Sequence, residues 1–325
     1  MSTTIPLHRR GIQASRLILG CMPLGGNWDS EPITSAHVEQ AREAVEAAME
    51  SGITMYDHAD IYTMGKAEQT FGLVLKEKPG LRDKLILQSK CGIRFDRGPG
   101  KPHQFDFSKS HILASVDGIL ERLGVDYIDI LLLHRPDALV EPEEVAEAFE
   151  RLTESGKVRH FGVSNMGAGQ IKLLQAYCKA PLVANQLEMN LLYTDFIDQG
   201  IHINQTAGKD GIFPEGTLEF CRLENMQLQA WSPLAKGLLS GASLEGQPSS
   251  VKETAALVAA MAERKNTTRE AIVLAWLMRH PAGIQPVIGT SDPQRIRNCA
   301  AAGQIELSRD EWYELYTASR GTKLP

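Results

Sequence analysis

Ile112-Leu113-Ala114-Ser115-Val116-Asp117-Gly118-Ile119-Leu120-Glu121-Arg122-Leu123-Gly124-Val125-Asp126-Tyr127-Ile128-Asp129-Ile130-Leu131-Leu132-Leu133-His134 reads as one structural unit. Ile112, Leu113, Val116, Ile119, Leu120 and Leu123 recur at spacings of three and four, the stripe of a helix with one buried face. Gly124 follows and suits the left-handed position that ends a helix. Tyr127 to His134 is then a short apolar run, the pattern of a buried strand. The same order occurs upstream, where Val38, Ala41, Val45, Ala48 and Met49 lead to Gly52 and then Ile53-Thr54-Met55. A third copy opens with Pro142 at a plausible first helical position, runs through Val145, Phe149 and Leu152 to Gly156, and continues into Val158–Val163. Helix alternating with strand predicts a parallel sheet.

Extended along the chain, the pattern predicts strands near Leu17–Gly20, Ile53–Asp57, Leu85–Lys90, Tyr127–His134, His160–Ser164, Val183–Gln186, Leu228–Ser232 and Gln285–Ile288. Eight strands suit a barrel or an open doubly wound sheet. No GxGxxG follows the first strand, which argues against the open sheet. Polar or reactive residues mark most strand ends: Asp57, Lys90, His134, Ser164-Asn165, Gln186 and Trp231. A barrel gathers those ends around one mouth. The expected fold is therefore an α/β (β/α)₈ TIM barrel. Ile5-Pro6-Leu7 and Ser15-Arg16-Leu17, flanking Gly11, suggest an N-terminal β-hairpin that plugs the bottom. Ala271–Met278 reads as a core helix and Asp292-Pro293 opens another, so extra helices are expected near the C-terminus. Phe95–Gln104 and Asp198–Gly216 read as long loops of the barrel, not linkers.

The totals agree with one barrel domain spanning 1–325. A formal charge of −6 argues against a nucleic-acid partner. The five cysteines are odd in number and scattered, at 21, 91, 178, 221 and 299, which argues against a disulfide framework or a CxxC metal site. The first ten residues lack the apolar core of a signal peptide, and no apolar run approaches a membrane span. The expected location is the cytoplasm, with no membrane partner.

Asp57, Tyr62, Lys90 and His134 make chemical sense together. A carbonyl that accepts hydride develops negative charge on oxygen and needs a proton donor. Tyrosine ordinarily ionises near pH 10, and a neighbouring ammonium favours the phenolate. Lys90 is expected to be that neighbour, Asp57 to hold Lys90, and His134 to orient the carbonyl. Each residue alone is more often structural; the joint occurrence at successive strand ends carries the reading.

Several stretches resemble the aldo-keto reductase family, in order and along essentially the whole chain. Asp57-His58-Ala59-Asp60-Ile61-Tyr62 resembles its motif with Asp and Tyr five residues apart. Gln88-Ser89-Lys90-Cys91-Gly92 is similar to its lysine strand, and Asp126 to Pro136 to its histidine strand. The resemblance implies that Ser164, Asn165 and Gln186 hold the nicotinamide amide of NADPH or NADP⁺. It implies that Trp231 stacks on the ring, and that Ser232, Pro233, Leu234, Lys236 and Gly237 wrap the pyrophosphate. Gly20, Met22 and Asp57 complete the nicotinamide end. Gly289, Thr290, Ser291 and Arg295 stand at the family's phosphate site, although a Lys-Ser pair is commoner there. Arg295 is the expected reason for preferring NADPH, since its planar fork suits the extra phosphate. The family's adenine-contacting Asn falls on Cys299, with Asn298 beside it. His-Arg-Pro-Asp at 134–137 and the Trp-Ser segment look most like the bacterial YdhF-like oxidoreductases.

The implied activity is reduction of an aldehyde or ketone, or oxidation of an alcohol, with Tyr62 as general acid. Trp28, Tyr62 and His134 are the expected substrate contacts, with Arg97 another candidate in the loops after Gly20, Cys91 and Tyr193. The substrate is a small carbonyl compound that no pattern identifies, and the oligomeric state is unreadable. Two other classes compete: a cofactor-binding regulatory or sensor protein with slow turnover, and a metal-dependent barrel hydrolase using Asp57, His58 and His134. The second leaves Lys90, Ser164-Asn165 and Trp231 idle and lacks a close His-x-His pair. No metal is expected.

Overall fold

The computed structural model describes residues 4–95, 100–203, 205–206 and 211–325. Eight strands close into a barrel: β1 Ile18–Gly20, β2 Met55–Asp57, β3 Ile86–Cys91, β4 Ile128–Leu133, β5 Val158–Ser164, β6 Leu182–Glu188, β7 Gln227–Trp231 and β8 Gln285–Ile288. Every pairing is parallel; each strand neighbours the next in the chain, and β8 returns to β1. The unit Ile112–His134 forms as its spacing predicts. Ser108 caps helix Lys109–Leu123 by accepting from the His111 N–H. Ile112, Val116, Ile119, Leu120 and Leu123 are its buried face. Gly124 ends it at φ 65°, where a Cβ would be strained, and the other two copies close in the same way.

Alternation along the strands sorts side chains between two cores. Leu131 and Leu133 of β4 face the helices, while Ile130 and Leu132 face the barrel axis. At the bottom, Ile18, Met55, Ile130, Leu132, Val183 and Val287 form an apolar layer. Higher up the same axis-facing positions turn polar, with Asp57, Gln88, Lys90, Gln186 and Gln229 all buried.

One expected element is absent. Residues 4–17 do not form a β-hairpin; they hold a single helical turn, Pro6–Arg9, followed by irregular chain. The backbone groups that a hairpin would pair are not free: Ser15 N–H donates to Thr54 Oγ1 at 3.1 Å, the Ser15 carbonyl accepts from Gln285, and Pro6 has no N–H to give. The segment still plugs the bottom, through buried Ile5, Leu7, Ile12 and Ala14. The chain also bonds itself in place, with Gln285 Nε2 donating to the Ser15 carbonyl at 2.6 Å.

The C-terminal part holds four helices, Ser249–Arg264, Arg269–Met278, Pro293–Ala300 and Arg309–Arg320, two more than the last two strands of a barrel require. The stretches expected as loops contain some order: a two-stranded ribbon, Ile93–Arg94 with Gln104–Phe105, and a short helix, Asp195–Ile201. Tyr316 and Arg320 of the last helix bind Asp198, tying that loop down. Among the described residues no helix is long and apolar enough to cross a membrane.

Candidate active site

The site grows out of the polar layer. Gln88 Nε2 donates to Asp57 Oδ1 at 2.6 Å and to Gln229 Oε1 at 2.9 Å. Gln229 Nε2 returns a bond to Gln88 Oε1 at 3.0 Å. Gln186 Nε2 reaches Asp57 Oδ1 at 3.1 Å and Gln229 Oε1 at 3.0 Å. Two glutamines thus clamp one carboxylate oxygen, and a third, Gln229, ties those two together. Buried amides left unpaired would each be costly, so this layer locks Asp57 in one orientation.

Lys90 lies above it. Its ammonium donates to Asp57 Oδ2 at 2.7 Å, to the His58 carbonyl at 2.8 Å and to the Tyr62 phenol oxygen at 2.8 Å. An ammonium has three protons, and all three are placed. The phenol oxygen therefore accepts from Lys90, which leaves its own O–H for a partner in the cleft. Tyr62 faces His134 edge-on, with ring centroids 6.0 Å apart. His134 Nδ1 is buried without a partner.

Electrostatics follow from burial. Burial raises the Tyr62 phenol above its ordinary value; Lys90 pulls it down and Asp57 pushes it back. The sequence predicts the pull from Lys90, but burial, which no spacing reveals, outweighs it. Burial alone would discharge Lys90, yet Asp57 and Tyr62 hold it above its usual value. His134 lies well below the usual imidazole range, through burial first and then the charges of Lys90 and Arg135. The result is a protonated phenol, a charged lysine and a neutral imidazole.

These groups form one end of a cleft of about 560 Å³. Of the residues expected from sequence, all line it except Lys90, Trp28, Ser291 and Asn298; Lys90 is buried behind Tyr62. Asn165 accepts from the Trp231 indole N–H at 3.1 Å and donates to Ser164 Oγ at 2.9 Å and to the His134 carbonyl at 3.2 Å. Ser164 Oγ donates to the Gln186 carbonyl at 2.9 Å. The Asp292 side chain caps the helix at Pro293 by accepting from the Arg295 N–H at 2.8 Å, so its carboxylate is committed to that cap. Asn298 bonds Gln294 instead of facing the cleft, and its neighbour Cys299 is buried. Trp28 packs edge-on against Phe95, with centroids 6.1 Å apart, joining the loops after β1 and β3. Arg97 lies outside the described residues.

Three residues escaped the sequence reading. Gln88 and Gln229 sit two positions before Lys90 and Trp231 on the same strand faces, and a polar residue at that spacing in a buried strand is their signal. Arg135 also lines the cleft. The hydrolase alternative is not assembled. His58 packs on Phe71 at 4.6 Å with both ring nitrogens buried and unpartnered, turned from the axis. Among the described residues no group of three or more His, Cys, Asp or Glu is placed to hold a metal.

The backbone of the cleft suits a long anionic ligand. A Cβ on Gly20 would meet the Ile288 carbonyl and Val287 at 3.1 Å, so even a methyl group there would crowd the neighbouring strand. Ser232, Ala235 and Lys236 take positive φ values of 54°, 46° and 56°, each strained for a residue with a Cβ. Such turns present amides to anions. The Aldo/keto reductase family model matches residues 16–319. The chain belongs to the aldo/keto reductase family. Among its relatives in that family, 6-dehydroglucose reductase of Agrobacterium fabrum is 37% identical over 316 residues, covering 96% of this chain and 97% of the relative. Oxidoreductase YdhF of Escherichia coli is 32% identical over 326 residues, covering all of both chains. An aldo/keto reductase from Klebsiella pneumoniae, solved with NADP and acetate, superposes with a TM-score of 0.69 at 25% identity, over 93% of this chain and 90% of that one. The protein is an oxidoreductase of this family.

Proposed function

We propose that this aldo/keto reductase reduces a small aldehyde or ketone, with Tyr62 as proton donor and His134 as the group that orients the carbonyl. The bond pattern around Lys90 carries the reading: with its three protons on Asp57, His58 and Tyr62, the phenol proton is the one left to give. Bound NADPH supplies the hydride. Ser164, Asn165 and Gln186 hold the nicotinamide amide, and Trp231 gives the ring a flat face. The turn from Ser232 to Gly237 meets the pyrophosphate, while Thr290, Ser291 and Arg295 meet the ribose phosphate. Gly20 and Met22 bound the ring's side of the cleft, and Trp28 meets substrate from the loop above. As negative charge grows on the carbonyl oxygen, Tyr62 releases its proton to it. Lys90, held charged by Asp57, stabilises the phenolate left behind.

The chain acts as one functional unit over 1–325, in the cytoplasm, without nucleic acid. Two relatives bear the name 6-dehydroglucose reductase, which makes sugar aldehydes the first substrates to test. The experiment is a screen of NADPH oxidation over aldehydes, ketones and quinones, sugar aldehydes included. Turnover with an aldehyde or ketone supports the reading. NADPH binding with no turnover across the panel contradicts it.

A further inference from the structure

Arg135 takes no part in the proton transfer from Tyr62. It follows His134 directly and lines the cleft with Tyr62, Asn165 and Trp231. Its guanidinium carbon lies 5.8 Å from the centroid of the Trp231 ring. Two of the other cations around the cleft are answered, Lys90 by Asp57 at 2.7 Å and Arg295 by Glu270 at 3.8 Å, while Lys236 stands on the turn that faces the pyrophosphate. Arg135 makes no hydrogen bond or close ion pair with any described residue. Its charge still reaches its surroundings. It helps hold His134 neutral, and with Lys236 it draws down the Glu188 carboxyl that burial raises.

We propose that Arg135 discriminates between the two redox states of the cofactor, disfavouring the cationic oxidised nicotinamide and leaving the neutral reduced ring untouched. The inference rests on the ring lying against Trp231, as proposed above. A ring stacked about 3.5 Å from the indole lies no more than roughly 9 Å from the guanidinium, on whichever face it sits. Hydride transfer to the carbonyl carbon, with the proton coming from Tyr62, leaves one unit of positive charge on the ring. Arg135 meets that charge only after the chemistry. Two unit charges at this distance, in an effective dielectric of about 20 to 40, repel enough to change an affinity by about fivefold to twentyfold. Solvent at this exposed side chain reduces the effect to about threefold to tenfold. The consequence is directional: spent NADP⁺ leaves more easily, which favours turnover as a reductase.

The test is the dissociation constants of NADPH and NADP⁺, measured by fluorescence titration on the full-length protein and on Arg135→Gln, Arg135→Lys and Glu188→Gln. Arg135→Gln should tighten NADP⁺ by about threefold to tenfold and leave NADPH within twofold. Arg135→Lys keeps the charge and should keep the wild-type ratio. Glu188→Gln removes a carboxylate that feels the Arg135 charge and should weaken NADP⁺ further. Both affinities of Arg135→Gln moving together, or neither moving, overturns the inference. Failure of the ring placement reads differently, as a Trp231→Ala protein that binds both forms as well as wild type.

Discussion

At one end of the cleft Lys90 is buried and has all three protons bonded; at the other, Arg295 leaves 46% of its side chain exposed and meets Glu270 at 3.8 Å. The first end is cross-linked through the glutamine layer, so a change in any member strands another in a dry interior. The second is a set of separate groups on a helix start and a turn, each free to contribute alone. Proton transfer needs a few groups held within a fraction of an ångström, whereas gripping a phosphate tolerates substitution. The substitutions at this end, Gly289-Thr290-Ser291 and Cys299, fit that tolerance.

The contrast is broken most severely by Lys90→Met. Removing one partner of a buried ion pair costs about 3 to 5 kcal/mol, because Asp57 is left charged among amides. Turnover should fall about 100-fold or more, and thermal unfolding should come at lower temperature. Wild-type stability in Lys90→Met would mean that the glutamine layer alone suffices for Asp57. At the loose end, Arg295→Ala should erode the preference for NADPH over NADH at least about tenfold, since charge-assisted bonds are worth about 1.5 to 3 kcal/mol, while melting temperature stays put. The ratio of kcat/KM for the two cofactors measures it, and an unmoved ratio would relocate the phosphate site.

Trp231 lies between the two ends. Trp231→Ala should remove most of the fluorescence quenching that NADP⁺ causes. Persistence of the quenching would assign it to another tryptophan.

The pH profile sharpens the tight end. Reduction needs Tyr62 protonated, and its ionisation is raised, so that form persists through neutral pH and is lost only as pH rises through the elevated value. His134 is lowered and stays neutral, so it adds no step near pH 6.5. The reduction rate should be flat from about pH 6 to about pH 10 and fall only above the ordinary tyrosine range. An inflection near neutrality would place a second titrating group in the reaction.

The legible parts of the fold were those written locally. Helix stripes, terminal glycines and apolar runs located every barrel strand, because each signal lies within a dozen residues of the strand that it marks. The N-terminal segment misled, since Ile5-Pro6-Leu7 and Ser15-Arg16-Leu17 read as hairpin arms, and the bonds that occupy the Ser15 backbone come from Thr54 and Gln285, far along the chain. Tyr62, Lys90 and His134 were legible through the reaction that they suit together. Gln88 and Gln229 were not: their partners lie 141 residues apart, and a glutamine in a strand announces no chemistry. The balance of burial against Lys90 at Tyr62 depends on the same long-range packing.

The central claim is that Tyr62 gives the proton. Single-turnover reduction by Tyr62→Phe, beside a titration of its NADPH affinity, tests it most directly. The account predicts wild-type affinity with reduction slowed by about 10² to 10⁴-fold. Reduction at the wild-type rate would contradict it and require another donor in the cleft.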